Sequence, residues 1–317
     1  MCAVNVIPPY HIPALREPVV DFLNVRESGR YADATFGGGG HSRAILERLG
    51  PDGHLYGFDR DADAKANAPQ DPRFSFVHGD FRYMANFLDY MGALPIDGII
   101  ADLGVSFHHF DQAERGFSFR ADAPLDMRMN QSAPLTAADL LSTISSTELE
   151  RLLKLYADLR QPRRVAEAVV KARSQAPLLT TSQLMAAAEP ALDPRKVKKE
   201  AAQLFQALRI EVNGEIRALE RLLTTAAGML RPGARMVILT YHSVEDRLVK
   251  NFFRSGRLDG EVRTDLYGRT ESPWKVLTRQ PITASEEEVE RNPRSRSAKL
   301  RAAEFIGNSD NKVRNRI

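Results

Sequence analysis

Cysteine is nearly missing from this chain. Its 317 residues hold one, Cys2, which excludes an intramolecular disulfide framework and a multi-cysteine zinc site. No His or acid group has metal-ligand spacing either, and "HSVED" offers too few ligands for zinc. No apolar stretch approaches the roughly 20 residues needed to span a bilayer. "MCAVNVIPPYHIP" lacks the basic start and apolar core of a signal peptide, so a cytoplasmic location is expected. There is no internal repeat. A strong charge of one sign is also absent. The net charge of +3 permits nucleic-acid binding without demonstrating it.

What is present is an ordinary globular composition, 43% hydrophobic and 27% charged, long enough for one large or two modest domains. The first hundred residues alternate in pattern. "GRYADATF", "HLYGFDRD", "RFSFVHGDF" and "IDGIIADLGVS" read as strands, and "HSRAILERLG" as a helix closed by Gly50. Strands separated by helices predict βαβ units and a parallel sheet, an α/β fold. "DGIIADL" is apolar enough for a strand covered on both faces. From about 113 to 204 the periodicity is helical, as in "TAADLLSTISSTELERLLKLY" and "QPRRVAEAVVKARSQ", with no convincing strand. The expected organisation is a discontinuous α/β domain over 1–112 and 205–317, with a helical insertion over 113–204. The second α/β segment opens with a long helix containing Gly214, then the strand "RPGARMVILTYHS" and the helix "VEDRLVKNFFR". "WKVLTRQPITAS" and "SAKLRAAEF" read as two further strands.

Four consecutive glycines, Gly37 to Gly40, sit in "DATFGGGGHSR" between a strand and a helix. Ordering glycine is costly, and a strand–glycine turn–helix lets a ligand approach backbone N–H groups closely. About 20 residues on, Asp59 ends the next strand, where an acid accepts hydrogen bonds from a ribose diol. Glycines and acid together point to an adenosine-containing cofactor. The dinucleotide pattern G-x-G-x-x-G fails, because its third glycine falls on Ser42 or Arg43. S-adenosylmethionine is the other common adenosine ligand of such folds, and Asp33, Asp80, Phe81 and Asp102 suit it. Phe81 offers a ring to pack on adenine.

"DATFGGGGHSRAILERLGPDG", "ERGFSFRADAPLDMRMN", "FQALRIEVNGEI", "LTYHSVEDRLVKNFF" and "NPRSRSAKLRAAE" together resemble the MraW/RsmH family, in order over nearly the whole chain. The resemblance implies a Rossmann-like class I methyltransferase domain interrupted by an all-helical, substrate-recognition domain. It implies transfer of a methyl group from S-adenosylmethionine to the N4 amine of a specific cytosine in small-subunit (16S) ribosomal RNA, near the decoding centre. By resemblance, Gly39, Gly40 and His41 form the cofactor loop, Asp59 holds the ribose, Phe81 the adenine and Asp102 the methionine end. His109 in "SFHHFD" stands where relatives usually carry Gln, "KKEAAQLFQALRI" lacks the Arg of "HPATRTFQALRI", and "LTYHSVEDR" replaces "ISFHSLEDR". The implied partner is small-subunit ribosomal RNA, free or within the assembled subunit, with no membrane and no metal. An oligomer stays open.

A cytosine amine is a weak nucleophile, so an enzyme helps by alignment and by an acceptor near the nitrogen. Asp102, at the carboxyl end of the fourth strand, is the first candidate, serving either the base or the cofactor. Carbon-5 methylation needs a cysteine nucleophile, and Cys2 lies in a terminus expected to fray. "ADLGVS" stands where amine methyltransferases acting on DNA carry "DPPY" or "NPPY". The alternatives are such a DNA enzyme, a catalytically inactive RNA-binding assembly factor, and a nicotinamide oxidoreductase. His41 and His242 are candidates whose plain alternatives are a helix cap and a structural hydrogen bond. For RNA contact, Arg291, Arg294, Arg296, Lys299 and Arg301 cluster in the tail. Phe117, Phe119, Arg120, Arg128, Arg163, Arg164, Lys196, Lys198 and Lys199 lie in the insertion.

Overall fold

The computed structural model describes residues 13–104, 113–264 and 271–307. Among these, eight strands form one sheet in the order β3-β2-β1-β4-β5-β8-β6, with β7 paired to β8. The strands are β1 Arg30–Asp33, β2 His54–Asp59, β3 Phe74–His78, β4 Ile96–Asp102, β5 Leu230–Thr240, β6 Trp274–Val276, β7 Ile282–Thr283 and β8 Lys299–Phe305. From β3 to β5 all pairings are parallel, and β8 runs antiparallel to β5, β6 and β7.

The apolar run in β4 has a direct physical reason. Ile99 and Ala101 point into one buried cluster with Met236 and Ile238. Ile100 points into another with Leu55, Val237 and Leu239. Each face of the sheet is therefore covered, as parallel strands require. Helix α1 (Arg16–Leu23) contributes Val19 and Leu23 to the second cluster, and α2 (Gly40–Leu46) contributes Ile45 and Leu46. Helix α3 (Met84–Tyr90) contributes Met84 and Leu88 to the first.

The chain divides into two units, Met1–Gly104 with Ala218–Ile317, and Val105–Arg217. The second holds no named strand among its described residues. Its helices are α4 (Ala137–Thr143), α5 (Ser146–Tyr156), α6 (Pro162–Gln175), α7 (Thr181–Ala188) and α8 (Val197–Asn213). Capping boxes start α4, α5 and α7, through Thr136 with Asp139, Ser145 with Glu148, and Thr180 with Gln183. Leu149, Leu153, Val165, Val169 and Leu208 fill its core.

The long helix expected around Gly214 is two helices. Gly214 ends α8 with φ +59°, and α9 (Glu215–Met229) begins at the next residue. A left-handed residue is a helix stop, and glycine adopts it at little cost. Across the break, Arg209 and Glu215 form a two-pronged ion pair, with both contacts at 2.9 Å. Asn213 ties the same turn to "LDMRMN", accepting from Met129 N–H at 2.7 Å and donating to the Met127 carbonyl at 2.8 Å. Helix α10 (Ser243–Ser255) follows β5, and a short helix, α11 (Glu286–Arg291), precedes β8. The tail also holds three strands rather than two, because two residues, Ile282 and Thr283, pair with β8 as β7. No helix among the described residues is long and apolar enough to cross a membrane.

Candidate active site

Strand order reverses beside β1, whose neighbours are β2 and β4. Ligands of open α/β sheets bind at such a reversal, outside the carboxyl ends of the strands. Three acids end the strands there: Asp33 on β1, Asp59 on β2 and Asp102 on β4.

The glycine loop is held rigidly between them. Gly37 N–H donates to Asp59 Oδ2 at 2.7 Å, and Asp61 N–H donates to Asp59 Oδ1 at 2.8 Å. Asn67 Nδ2 reaches the Gly37 carbonyl at 3.1 Å, and the Arg43 guanidinium reaches the Gly38 carbonyl at 2.6 Å. Gly39 caps α2 with φ +73°, a conformation that other residues adopt only with strain. A Cβ on Gly39 would meet the Phe36 ring at 2.8 Å, and one on Gly40 would meet Pro13 at 2.9 Å. The protein's own packing thus already requires both glycines, beyond any need for ligand approach.

Asp33 is 1% exposed. It accepts from Ser42 Oγ at 2.7 Å and Thr35 N–H at 3.0 Å. Burial raises its pKa to about 6, with a push from Asp102, although Ser42, His41 and Thr35 oppose the rise. Burial likewise pushes Asp59 up, against its two backbone donors. A carboxylate has about four acceptor positions, so Asp59 keeps capacity for a diol. Thr35 Oγ1 accepts the Asp102 N–H at 2.6 Å. His41 is 5% exposed, and neither ring nitrogen has a hydrogen-bond partner. Its Nε2 lies 3.4 Å from Asp102 Oδ2. An unpartnered buried imidazole facing a carboxylate leaves polar capacity for a ligand. Together these groups fit an adenosylated amino acid: acceptors for its ribose and ammonium, and a ring nitrogen without a partner.

The structure brings Gly39, Gly40, His41, Asp59 and Asp102 to one edge of the sheet. Phe81 follows β3, joined to that edge through Gly79 N–H, which donates to the Asp59 carbonyl at 2.8 Å. Its ring is 8% exposed, within the cluster containing Phe58 and Met84. His109 lies outside the described residues. Among the described residues, no group of three or more His, Cys, Asp or Glu side chains could hold a metal. His242 caps α10: its Nδ1 accepts the Glu245 N–H at 3.4 Å, and its Nε2 lies 3.0 Å from Glu245 Oε1.

Several contributors escaped the sequence reading. Thr35 and Arg43 sat unremarked inside the glycine block, and Tyr241 sat beside His242. Asn67 carries no sequence signal. The RNA candidates also sort themselves. Phe117 is buried, Phe119 packs on Phe205, and Arg128 is clamped by Asp126. Arg301 is buried against Asp246 at 2.6 Å. Arg120, Lys196, Lys198, Lys199, Arg291, Arg294 and Arg296 are exposed.

The chain matches the model of the MraW methylase family over residues 9–306. It is 51% identical over 298 residues to the ribosomal RNA small subunit methyltransferase H of Parabacteroides distasonis, covering 94% of this chain and 98% of the relative. It is 52% identical over 302 residues to the protein of that name from Porphyromonas gingivalis, covering 94% and 97%. A solved structure of a putative methyltransferase from Streptococcus mutans in complex with SAH aligns over 93% of this chain and 100% of its own, at 13% identity and a TM-score of 0.43. With a family model spanning nearly all of its length and close relatives matched end to end, the chain belongs to the MraW methylase family.

Proposed function

We propose that this protein transfers a methyl group from S-adenosylmethionine to the exocyclic N4 amine of a cytosine in small-subunit ribosomal RNA. The observation that carries the reading is the set of groups at the strand reversal: a glycine loop bonded to Asp59, with Asp102 facing an unpartnered, buried His41. The relatives named for methylation of small-subunit ribosomal RNA supply the substrate class. The amine is favoured over ring carbon 5, because the one cysteine is Cys2.

The cofactor, when bound, supplies an activated methyl group on a sulfonium. Asp59 holds the ribose diol, and the loop of Gly39, Gly40 and His41 lines the methionine and ribose portion. Phe81 packs beside the adenine, and His109 stands in the sequence where relatives usually carry Gln. Asp102 accepts from the methionine end and is the candidate acceptor for charge developing on the target amine. That amine gains a methyl and loses a proton, so a fixed acceptor lowers the barrier without covalent participation. The helical unit, with the basic tail, holds the RNA.

Calorimetry with S-adenosylhomocysteine, then with NADH, tests the cofactor. Binding of the first is expected, and tight NADH binding without it would overturn the assignment. Mass spectrometry of ribosomal RNA from a deletion strain tests the target, which is expected to lose one N4-methylcytidine.

A further inference from the structure

The two oxygens of Asp102 have different neighbours. Oδ2 faces His41 Nε2 at 3.4 Å, and Oδ1 accepts a hydrogen bond from the Tyr241 hydroxyl at 2.7 Å. Tyr241 lies 139 residues away in sequence, between β5 and α10. We propose that Tyr241 is a positioning residue for methyl transfer: its hydroxyl occupies Oδ1, fixes the rotation of the carboxylate, and leaves Oδ2 as the acceptor for the ammonium of the methyl donor. This rests on the function proposed above.

Three further observations make the hydroxyl a fixed donor rather than a chance neighbour. The Tyr241 backbone N–H donates to Glu245 Oε2 at 3.1 Å, and Glu245 is itself buried. The ring lies close over Gly104, two residues beyond Asp102, where an added Cβ would come within 3.3 Å of Tyr241 Cδ2. Asp102 is held from its other end by Thr35, at 2.6 Å from its backbone N–H. With both the backbone and Oδ1 fixed, little freedom remains for Oδ2. Burial, then the charge of Asp102, pushes the Tyr241 hydroxyl well above its usual pKa, so it stays protonated and donates. A hydroxyl donating to a carboxylate is among the stronger hydrogen bonds of proteins, and tyrosine delivers it on a ring with few rotatable bonds.

The test is a double-mutant cycle on the full chain, using Tyr241→Phe, Asp102→Ala and the pair. Each variant is titrated calorimetrically with S-adenosylhomocysteine and, separately, with small-subunit ribosomal RNA. Phenylalanine keeps the ring over Gly104 and removes the hydroxyl alone. Tyr241→Phe is expected to weaken S-adenosylhomocysteine binding about tenfold, as for loss of one hydrogen bond to a charged group. In the Asp102→Ala background it should add nothing. RNA affinity should stay unchanged in Tyr241→Phe, whereas a merely structural role would move both ligands. Wild-type S-adenosylhomocysteine affinity in Tyr241→Phe, or the same loss with and without Asp102, would overturn the proposal. If Asp102→Ala alone binds normally, the placement of Asp102 is wrong and the proposal falls with it. If the unaltered protein fails to bind S-adenosylhomocysteine, the functional reading itself has failed.

Discussion

The two units treat buried polar groups differently. Among the described residues of the helical unit, four polar or charged side chains are buried: Arg115, Thr181, Glu200 and Glu215. Each is satisfied internally. Arg115 donates to the carbonyls of Arg128 and Met129, and Thr181 bonds the backbone of Ala121 and Ala123. Glu200 accepts from the N–H groups of Arg160 and Asp193, and Glu215 pairs with Arg209. In the sheet unit, His41 is as deeply buried, yet neither ring nitrogen makes a hydrogen bond, and its Nε2 lies 3.4 Å from Asp102 Oδ2. Carboxyl groups at the strand ends diverge from those held by arginines or caps, which occur in both units, as Asp71 beside Arg73 shows. Burial pushes Asp33 and Asp59 up at the strand ends. In the helical unit, Asp126 is held below the usual range by Arg128 despite its burial, and Asp139 and Glu148 by their capping hydroxyls. Satisfied polar groups stabilise a fold. Gln203 Oε1 in the helical unit and Trp274 Nε1 in the sheet unit also lack a hydrogen bond, but among the described residues only at the strand ends does such a group, His41, sit among carboxyls pushed toward neutrality, and that combination marks where a ligand completes the set.

The sharpest way to break this contrast is to remove one buried or half-buried acid from each unit. Asp59→Ala deletes the ribose acceptor and also orphans the N–H groups of Gly37 and Asp61. Affinity for S-adenosylhomocysteine should fall at least about 100-fold, roughly 3 kcal/mol, by calorimetry. Normal affinity with lowered turnover would instead move Asp59 into the chemistry.

Glu200→Ala also orphans two N–H groups, but in the helical unit. It should cost about 1–3 kcal/mol of stability in denaturant unfolding while S-adenosylhomocysteine affinity stays within twofold. A cofactor defect there would erase the distinction between the units.

Legibility in the sequence followed the range of the interaction. The β4 run was readable because burial on both faces writes itself into consecutive apolar residues. Asp59 was readable because it ends a strand a fixed distance after a glycine loop. Gly214 was read as interior to one long helix and instead stops it, since glycine inside an apolar period fits both roles equally well. What joins the site across the chain left no local trace. The bonds of Asn67 to the loop, Thr35 to Asp102 and Tyr241 to Asp102 depend on which strand ends the topology brings together. Likewise, Arg301 read as part of a cationic tail, whereas β8 carries it inward to Asp246.

Asp33 sharpens the comparison through pH. Its folded pKa, about 6, lies above its ordinary value of 3.8, so the folded state favours the protonated form. The associated stability is fully present below about pH 4 and is lost as pH rises toward and through 6. On the order of 2–3 kcal/mol should disappear across that window. Asp33→Asn keeps the acceptor for Thr35 and carries no charge, and its amide N–H faces Ser42, whose hydroxyl can turn to accept. The difference in unfolding free energy between variant and wild type should therefore grow in favour of the variant from pH 4 to 6.5. A difference independent of pH would mean that Asp33 is charged at no cost, and that the strand end is better solvated than its burial implies.

The smallest expected effect concerns the charges assigned to RNA. Lys196, Lys198 and Lys199 are exposed at the start of α8, and Arg294 and Arg296 are exposed before β8. Arg163, on α6, is exposed and pairs with Glu167 at 2.8 Å. A side chain touching phosphate releases counterions when it binds, so its loss should weaken RNA binding and flatten the salt dependence by about one unit of slope per contact. The triple Lys196→Ala, Lys198→Ala, Lys199→Ala variant and the double Arg294→Ala, Arg296→Ala variant should each do so. Arg163→Ala should have the weaker effect, because it removes one cation rather than two or three. All three should bind S-adenosylhomocysteine normally, since none of these residues belongs to the strand ends. If RNA affinity across a salt series is unchanged in both multiple variants, these cations form a solvated face, and RNA is held by groups other than exposed charge.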